Sequence, residues 1–183
     1  MARCRDIFDR IKSLGERAID EFIEQRASEE LFLDFKRSSN NGSSVTLTDI
    51  DRKNLSKAIS GFGNSEGGVI VWGIDCSRDR DGADVAKEKI SIENVARFVA
   101  NLQGAVSGCT IPPHSTVEHY PLEIDPSGKG YAVTLIPSSV YAPHQTVKPP
   151  QYYIRAGSDF VPTPHQVLAG MFGRRPQPHT KPY

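Results

Sequence analysis

The side chains in this sequence whose types and spacing carry chemistry are mostly cations. Lys36, Arg37, Arg52, Lys53, Lys57, Arg155, Arg174 and Arg175 fall in short groups along the chain. A guanidinium presents a planar fork that matches phosphate oxygens, and an ammonium supplies a point charge. As a set they are candidate contacts for phosphate groups. Taken singly, each reads as a solvated surface charge. Tyr152 and Tyr153 are adjacent in a period-two segment, so at least one faces inward and the other is a candidate stacking residue.

The glycine-rich turn Gly63-Asn64-Ser65-Glu66-Gly67-Gly68 invites a phosphate-loop reading. It lacks the Lys-Ser/Thr pair of such loops, and it runs from a helix into a strand. The free N–H groups and dipole of a following helix are therefore missing, and nucleoside-triphosphate binding is disfavoured. A tight turn with Gly67 or Gly68 at positive φ accounts for the glycines, while Asn64 and Glu66 stay open as ligand-facing residues. Cys4, Cys76 and Cys109 are odd in number and widely spaced, and the five histidines show no ligand spacing. Neither a disulfide framework nor a zinc finger is supported, and the cysteines read as reduced thiols.

Composition bounds the remaining classes. The 183 residues are 38% hydrophobic and 24% charged, with 22 basic residues against 22 acidic. That is too apolar and too neutral for a disordered chain, and it suits one domain with a real core. No apolar run approaches the roughly 18 residues of a membrane span. The N-terminus, MARCRDIFDRIK, has no apolar segment of a secretory leader. A cytoplasmic protein without membrane contact is expected. The neutrality is not uniform: residues 1–140 carry a net charge of −4 and residues 141–183 a net charge of +4. The neutral total argues against coating of nucleic acid by charge alone and leaves room for a local basic face.

Periodicity places these residues on elements. Residues 7–23 put Ile7, Ile11, Leu14, Ala18 and Phe22 on one stripe of an amphipathic helix that Gly15 weakens in its middle. That stripe is expected to pack on the domain or on a second copy, giving a possible homodimer. Residues 31–36 alternate as a strand, with Leu31, Leu33 and Phe35 on one face and Phe32, Asp34 and Lys36 on the other. Thr48 and Asp51 form a capping-box-like start to a helix that carries Leu55, Ile59 and Phe62. The apolar run 69–74 predicts a central strand ending at Asp75, followed by a surface loop over 76–90. Ser91 is expected to cap a helix through Gly104. Strands around 116–124 and 130–136 flank the turn Asp125-Pro126-Ser127-Gly128-Lys129. A short strand over 152–158 and a helix over 164–172 follow. The predicted fold class is α+β, a single domain with a mixed sheet packed against helices. It divides into an N-terminal helical extension (1–28), a domain (29–173) and a basic, Pro-rich tail or linker (174–183).

Four blocks in this order resemble the Schlafen-type AlbA domain family: Asp34-Phe35-Lys36, Ile59 through Gly68, Trp72-Gly73-Ile74-Asp75, and Pro143 with Tyr152-Tyr153-Ile154-Arg155-Ala156-Gly157-Ser158. Together they span residues 29–172. Asp34 stands for the family's usual Glu, and Gly61 and Gly63 for its usual alanines. The resemblance implies a nucleic-acid-binding domain of the kind found in bacterial regulators and defence proteins. It implies DNA or RNA as partner, gripped here through Lys36, Arg37, Arg155 and the helix bearing Lys53 and Lys57. It also implies an alternative, a metal-dependent endoribonuclease acting on tRNA or rRNA. Its three acids carry over to Glu29, Asp34 and Asp75, with Mg²⁺ or Mn²⁺ as the cofactor they would hold. Against that role, Glu29 has the wrong strand parity unless the chain bends before Leu31, and Asp34 has Lys36 and Arg155 as candidate ion-pair partners. A third reading is an oligomerisation or sensing module for a downstream domain.

Arg155 has two open roles. It either contacts phosphate, or is the buried partner of Asp34. The expectation for its strand is that Ile154 faces the core and Arg155 reaches the face shared by Asp34 and Lys36.

Overall fold

The computed structural model describes residues 2–78, 82 and 84–173. The tail from 174 onward, with Arg174 and Arg175, lies outside them. The N-terminal helix is two helices, α1 (Ala2–Leu14) and α2 (Glu16–Glu24), because Gly15 takes φ 61° and breaks the predicted single helix. Phe8, Ile11, Ala18 and Ile19 are buried against Leu33, Phe35, Val69, Val71 and Val133. The amphipathic stripe is thus consumed by the chain's own sheet.

That sheet begins with β1 (Leu33–Lys36). After a loop comes α3 (Asp49–Gly63), whose N-cap Thr48 accepts a hydrogen bond from the Asp51 N–H as expected. β2 (Gly67–Trp72) runs parallel to β1, with Asp34 beside Ile70 and Lys36 beside Trp72. Every residue of β2 is buried. Val69 and Val71 face α1 and α2, while Ile70 and Trp72 pack with Leu55, Ile59 and Phe62 of α3. Burial on both faces is worth about 1.5–3 kcal/mol for each such side chain, which fixes β2 as the central strand.

The apolar run does not continue as one strand. Gly73 sits at φ 102°, and there the chain leaves the sheet for a separate hairpin, β3 (Ile74–Arg78) with β4 (Asp84–Lys89). The polar segment predicted as a loop over 76–90 is this hairpin. α4 (Val95–Ala105) is capped by Asn94, not Ser91, and covers the α3 side. Beyond a turn of 3₁₀ helix lies β5 (Thr110–Ile111). Next come β6 (Glu118–Glu123) and β7 (Gly130–Pro137), which completes a four-stranded sheet of order β1-β2-β7-β6.

A second sheet follows, built from β8 (Gln145–Thr146), β9 (Gln151–Ala156) and β10 (Asp159–Pro162) in the order β10-β9-β8-β5. β8 and β10 carry too few residues to show a period in the sequence. α5 (His165–Gly173) ends the described chain. The architecture is mixed α/β: one mixed sheet between two helical layers, with a smaller antiparallel sheet against α3. Among the described residues, no helix is long and apolar enough to cross a membrane.

Candidate nucleic-acid interface

Asp34 lies on the α3 face of β1, where its carboxylate is buried. Arg155 reaches it from β9: Nη1 donates to Asp34 Oδ1 at 3.0 Å, and the two side chains are 0% and 1% exposed. The same guanidinium donates to the carbonyls of Glu30 (2.9 Å) and Leu33 (3.0 Å). Its carbon sits 4.4 Å from the ring centre of Phe160 and 5.1 Å from that of Phe62. Arg155 thus reaches the face of Asp34 and Lys36 as expected and takes the second of its two open roles, the buried partner of Asp34. The expected burial of Ile154's face does not hold, since Ile154 is half-buried. A planar fork that satisfies a carboxylate, two carbonyls and two aromatic faces explains why arginine occupies the position. Arg155 is not available to phosphate.

Lys36 and Glu29 complete this cluster. Lys36 Nζ lies 2.6 Å from Asp34 Oδ2 and 3.6 Å from Glu29 Oε1, and it donates to the Phe35 carbonyl at 3.1 Å. Glu29 Oε1 accepts the Phe35 N–H at 3.0 Å, so the bend before Leu31 does bring Glu29 beside Asp34. Burial, then the Asp34 carboxylate, push the Glu29 carboxyl up to about 7, against the lowering pull of Lys36. The Cys76 thiol is pushed up to about 12, first by burial and next by the Glu29 charge.

Asp75 does not join. Ile74 and Cys76 pack into the α1/α2 core, the register shifts between Asp75 and Cys76, and Asp75 stands opposite Glu88 on the hairpin that leaves the sheet at Gly73. Among the described residues, no three acidic, histidine or cysteine side chains are grouped to hold a metal ion. The donor chemistry agrees: Asp34 is ion-paired through both oxygens, one to Arg155 and one to Lys36. The expected set of Glu29, Asp34 and Asp75 does not fit Mg²⁺ or Mn²⁺, and no reaction step is derived through a metal. Lys36, expected as a phosphate contact, is spent within the same cluster.

The second block of the sequence is also structural. Asn64 Nδ2 donates to the carbonyls of His144 (3.0 Å) and Tyr153 (2.9 Å), and its Oδ1 accepts the His144 N–H at 2.6 Å. Ser60 Oγ donates to the His144 carbonyl and accepts the Tyr153 N–H. Ser65 Oγ accepts the Arg155 N–H at 2.9 Å. These side chains bond the C-terminal end of α3 to β8 and β9, so Asn64 does not face a ligand. Glu66 is exposed. Gly61 has its own reason, because a Cβ there would collide with the Phe160 ring.

What remains free is basic. Arg52 and Lys53 on the exposed face of α3 and Lys148 beyond β8 line an open groove of about 430 Å³, together with Asp49, Ser56 and Val147. None of the three makes an ion pair among the described residues. Lys57, further along α3, lies 5.2 Å over the ring of Tyr153 and covers that face. Tyr152 meets Phe172 edge-on. Arg37 is exposed just past β1, near α3, because Ser38 and Ser39 are bonded to Asp51. Sequence reasoning missed Lys148 as a groove residue; its only signal was the basic excess of the C-terminal quarter.

The fold and this set of residues define an α/β domain with a basic groove. The chain belongs to the Schlafen AlbA_2 family, whose model matches residues 29–164. Among solved structures it is similar to the DIP2311 protein of Corynebacterium diphtheriae. That match has 11% identity and a TM-score of 0.48, and covers 83% of this chain and 30% of that one. It is also similar to the N-terminal domain of a RecG-related protein of Nitrosomonas europaea, with 18% identity, a TM-score of 0.41, and 75% and 74% of the two chains covered. No curated protein matches it.

Proposed function

We propose that this domain binds DNA or RNA through backbone phosphates, in the groove between α3 and the connection from β8 to β9. The observation that carries the reading is the convergence of Arg52, Lys53 and Lys148 on one open groove without carboxylate partners among the described residues. Membership of the Schlafen AlbA_2 family supports it. Cations without an ion pair stay available to phosphate even with Asp49 in the same groove, and each phosphate contact releases condensed counterions. Lys57, one turn along α3 from Lys53, extends the contact, and Arg37 is a further exposed cation close to the start of α3. Lys57 covers one face of Tyr153 and Phe172 meets Tyr152 edge-on, which favours backbone contact over base stacking.

A salt titration of binding to labelled duplex DNA, duplex RNA and single strands tests this. Wild type is expected to bind with a steep negative salt slope. Arg52→Ala, Lys53→Ala and Lys148→Ala should each reduce that slope by about one, with the fold intact. Absence of salt-dependent binding to every probe, or an unchanged slope in the triple variant, sinks the proposal.

A further inference from the structure

The loop that carries Lys148 into the basic groove is four residues long, Val147-Lys148-Pro149-Pro150, and two of the four are proline. It closes a hairpin in which Thr146 pairs with Gln151 and Gln145 with Tyr152. A proline has no N–H, so this loop has few donors with which to hold its own shape. The buried Thr146 side chain supplies the missing bonds. Its Oγ1 accepts the Gln151 N–H at 3.1 Å and lies 2.5 Å from the Pro149 carbonyl and 3.0 Å from that of Gln151. Whichever carbonyl takes the hydroxyl proton, the loop is tied at its neck. From the other side, the Val147 N–H donates to the Cys109 carbonyl at 3.2 Å and fixes the loop to the chain just before β5. Lys148 is exposed at the tip, and Thr146 itself is not among the groove's lining residues.

We propose that Thr146 is a positioning residue for nucleic-acid binding: its hydroxyl holds the backbone of Lys148 across the groove from Arg52 and Lys53, and it acts through that lysine alone. The proposal rests on the reading of the groove as a phosphate site. A lysine presents a point charge on a flexible stem and gives up rotamer freedom when it grips a phosphate. A backbone fixed in advance leaves that side-chain cost as the main one; a wandering loop would add its own ordering cost to every binding event. Threonine suits the position because a hydroxyl accepts an N–H and donates to a carbonyl at once, which a valine of the same shape does not. Pro149 and Pro150 narrow the remaining freedom by fixing φ.

Salt titrations of wild type, Thr146→Val, Thr146→Ser and Lys148→Ala on labelled DNA and RNA, run well below each melting temperature, provide the test. At a slope of about 0.9 per phosphate, one contact is worth roughly eightfold in affinity between 1 M and 0.1 M salt. Thr146→Val should lose most of that factor and most of one unit of slope, although every cation is still present, and Thr146→Ser should restore both. In a Lys148→Ala background, Thr146→Val should change binding no further. A Thr146→Val protein that melts earlier but keeps the wild-type slope overturns the proposal, as does an equal loss of binding in both backgrounds. If Thr146→Val does not fold, Pro150→Gly loosens the same loop from its exposed side and should reproduce the loss of slope; an unchanged slope there overturns the proposal. Wild type that binds no probe refutes the groove reading and this inference with it. Wild type that binds, with Lys148→Ala losing one unit of slope and Thr146→Val none, refutes this inference alone.

Discussion

Replacing Arg155 by alanine tests most directly whether the last block of the family motif is structural or contacts ligand. The change removes a guanidinium that is 0% exposed and strands the Asp34 carboxylate, 1% exposed, with Lys36 as its remaining ion-pair partner. Breaking a buried pair from one side costs about 3–5 kcal/mol. The Glu30 and Leu33 carbonyls lose their donor at the same time, which places the effect at the upper end of that range. Against a typical total of roughly 5–15 kcal/mol, the loss is a large share of the stability. At about 2–4 °C per kcal/mol for a chain of this size, the melting temperature should fall by roughly 6–20 °C. Thermal and urea melts measure it, with Asp34→Asn as the reciprocal variant and Asp34→Leu/Arg155→Met as the double. The double should recover much of the loss, because two apolar residues leave no uncompensated charge. Well below its melting point, Arg155→Ala should bind nucleic acid with the wild-type salt slope. A variant that melts with wild type but loses one unit of slope refutes the reasoning and places Arg155 on phosphate.

Glu29 makes stability depend on pH. Its carboxyl is held up to about 7 in the fold, against 4.5 in the unfolded chain, so folding takes up a proton between those values. Its contribution is full below about 4.5 and lost as pH rises through 7, and Glu29→Gln should flatten that limb and stabilise by about 1–3 kcal/mol above it, in urea melts across the window. His119 runs the other way: burial lowers its pKa to about 4, so its contribution is full above 6.5 and lost as pH falls toward 4, and His119→Gln should flatten the acid limb of the same curve. Asn64→Ala removes three hydrogen bonds to the backbone of His144, just before β8, and of Tyr153 in β9, and should cost about 2–4 kcal/mol in the same melts. Purified protein incubated with tRNA and Mn²⁺ should leave the RNA intact on a denaturing gel; cleavage abolished by Asp75→Ala would restore the three-acid site.

Much of the fold was legible because its signals are local. The Thr48 cap, the apolar run of β2, the turn at 125–129 and the helix over 164–172 each follow from a few adjacent residues. Where the reading failed, the deciding contact was distant in sequence. Gly73 was expected to lie within a strand, but its positive φ ends one and redirects Asp75. The hairpin β3–β4 is polar on its solvent side and shows no apolar alternation. β9 was read by its most apolar residue, yet the partners of Arg155 sit on β1, about 120 positions earlier. The pairing with Asp34 stood as one of two open roles for Arg155, and only the packing between the elements decides between them. In the site, the cations other than Lys148 were found by type, and Lys36 and Arg155 were both named as candidate partners of Asp34, but the sequence could not show that both hold it at once.

The residues that carry the family resemblance are largely the ones that lock two sheets to one helix. Asp34 and Arg155 join β1 to β9, and Ser60, Asn64 and Ser65 bond the end of α3 to the second sheet. Holding β8 and β9 against α3 is also what sets Lys148 across from Arg52 and Lys53. The motif residues and the groove residues therefore do different work on the same joint. Changes in the motif act on stability, and on binding only by loosening the groove. On the proposed function, groove changes should act on binding alone, which is why comparing Arg155→Ala with Lys148→Ala separates fold from function in a single pair of variants.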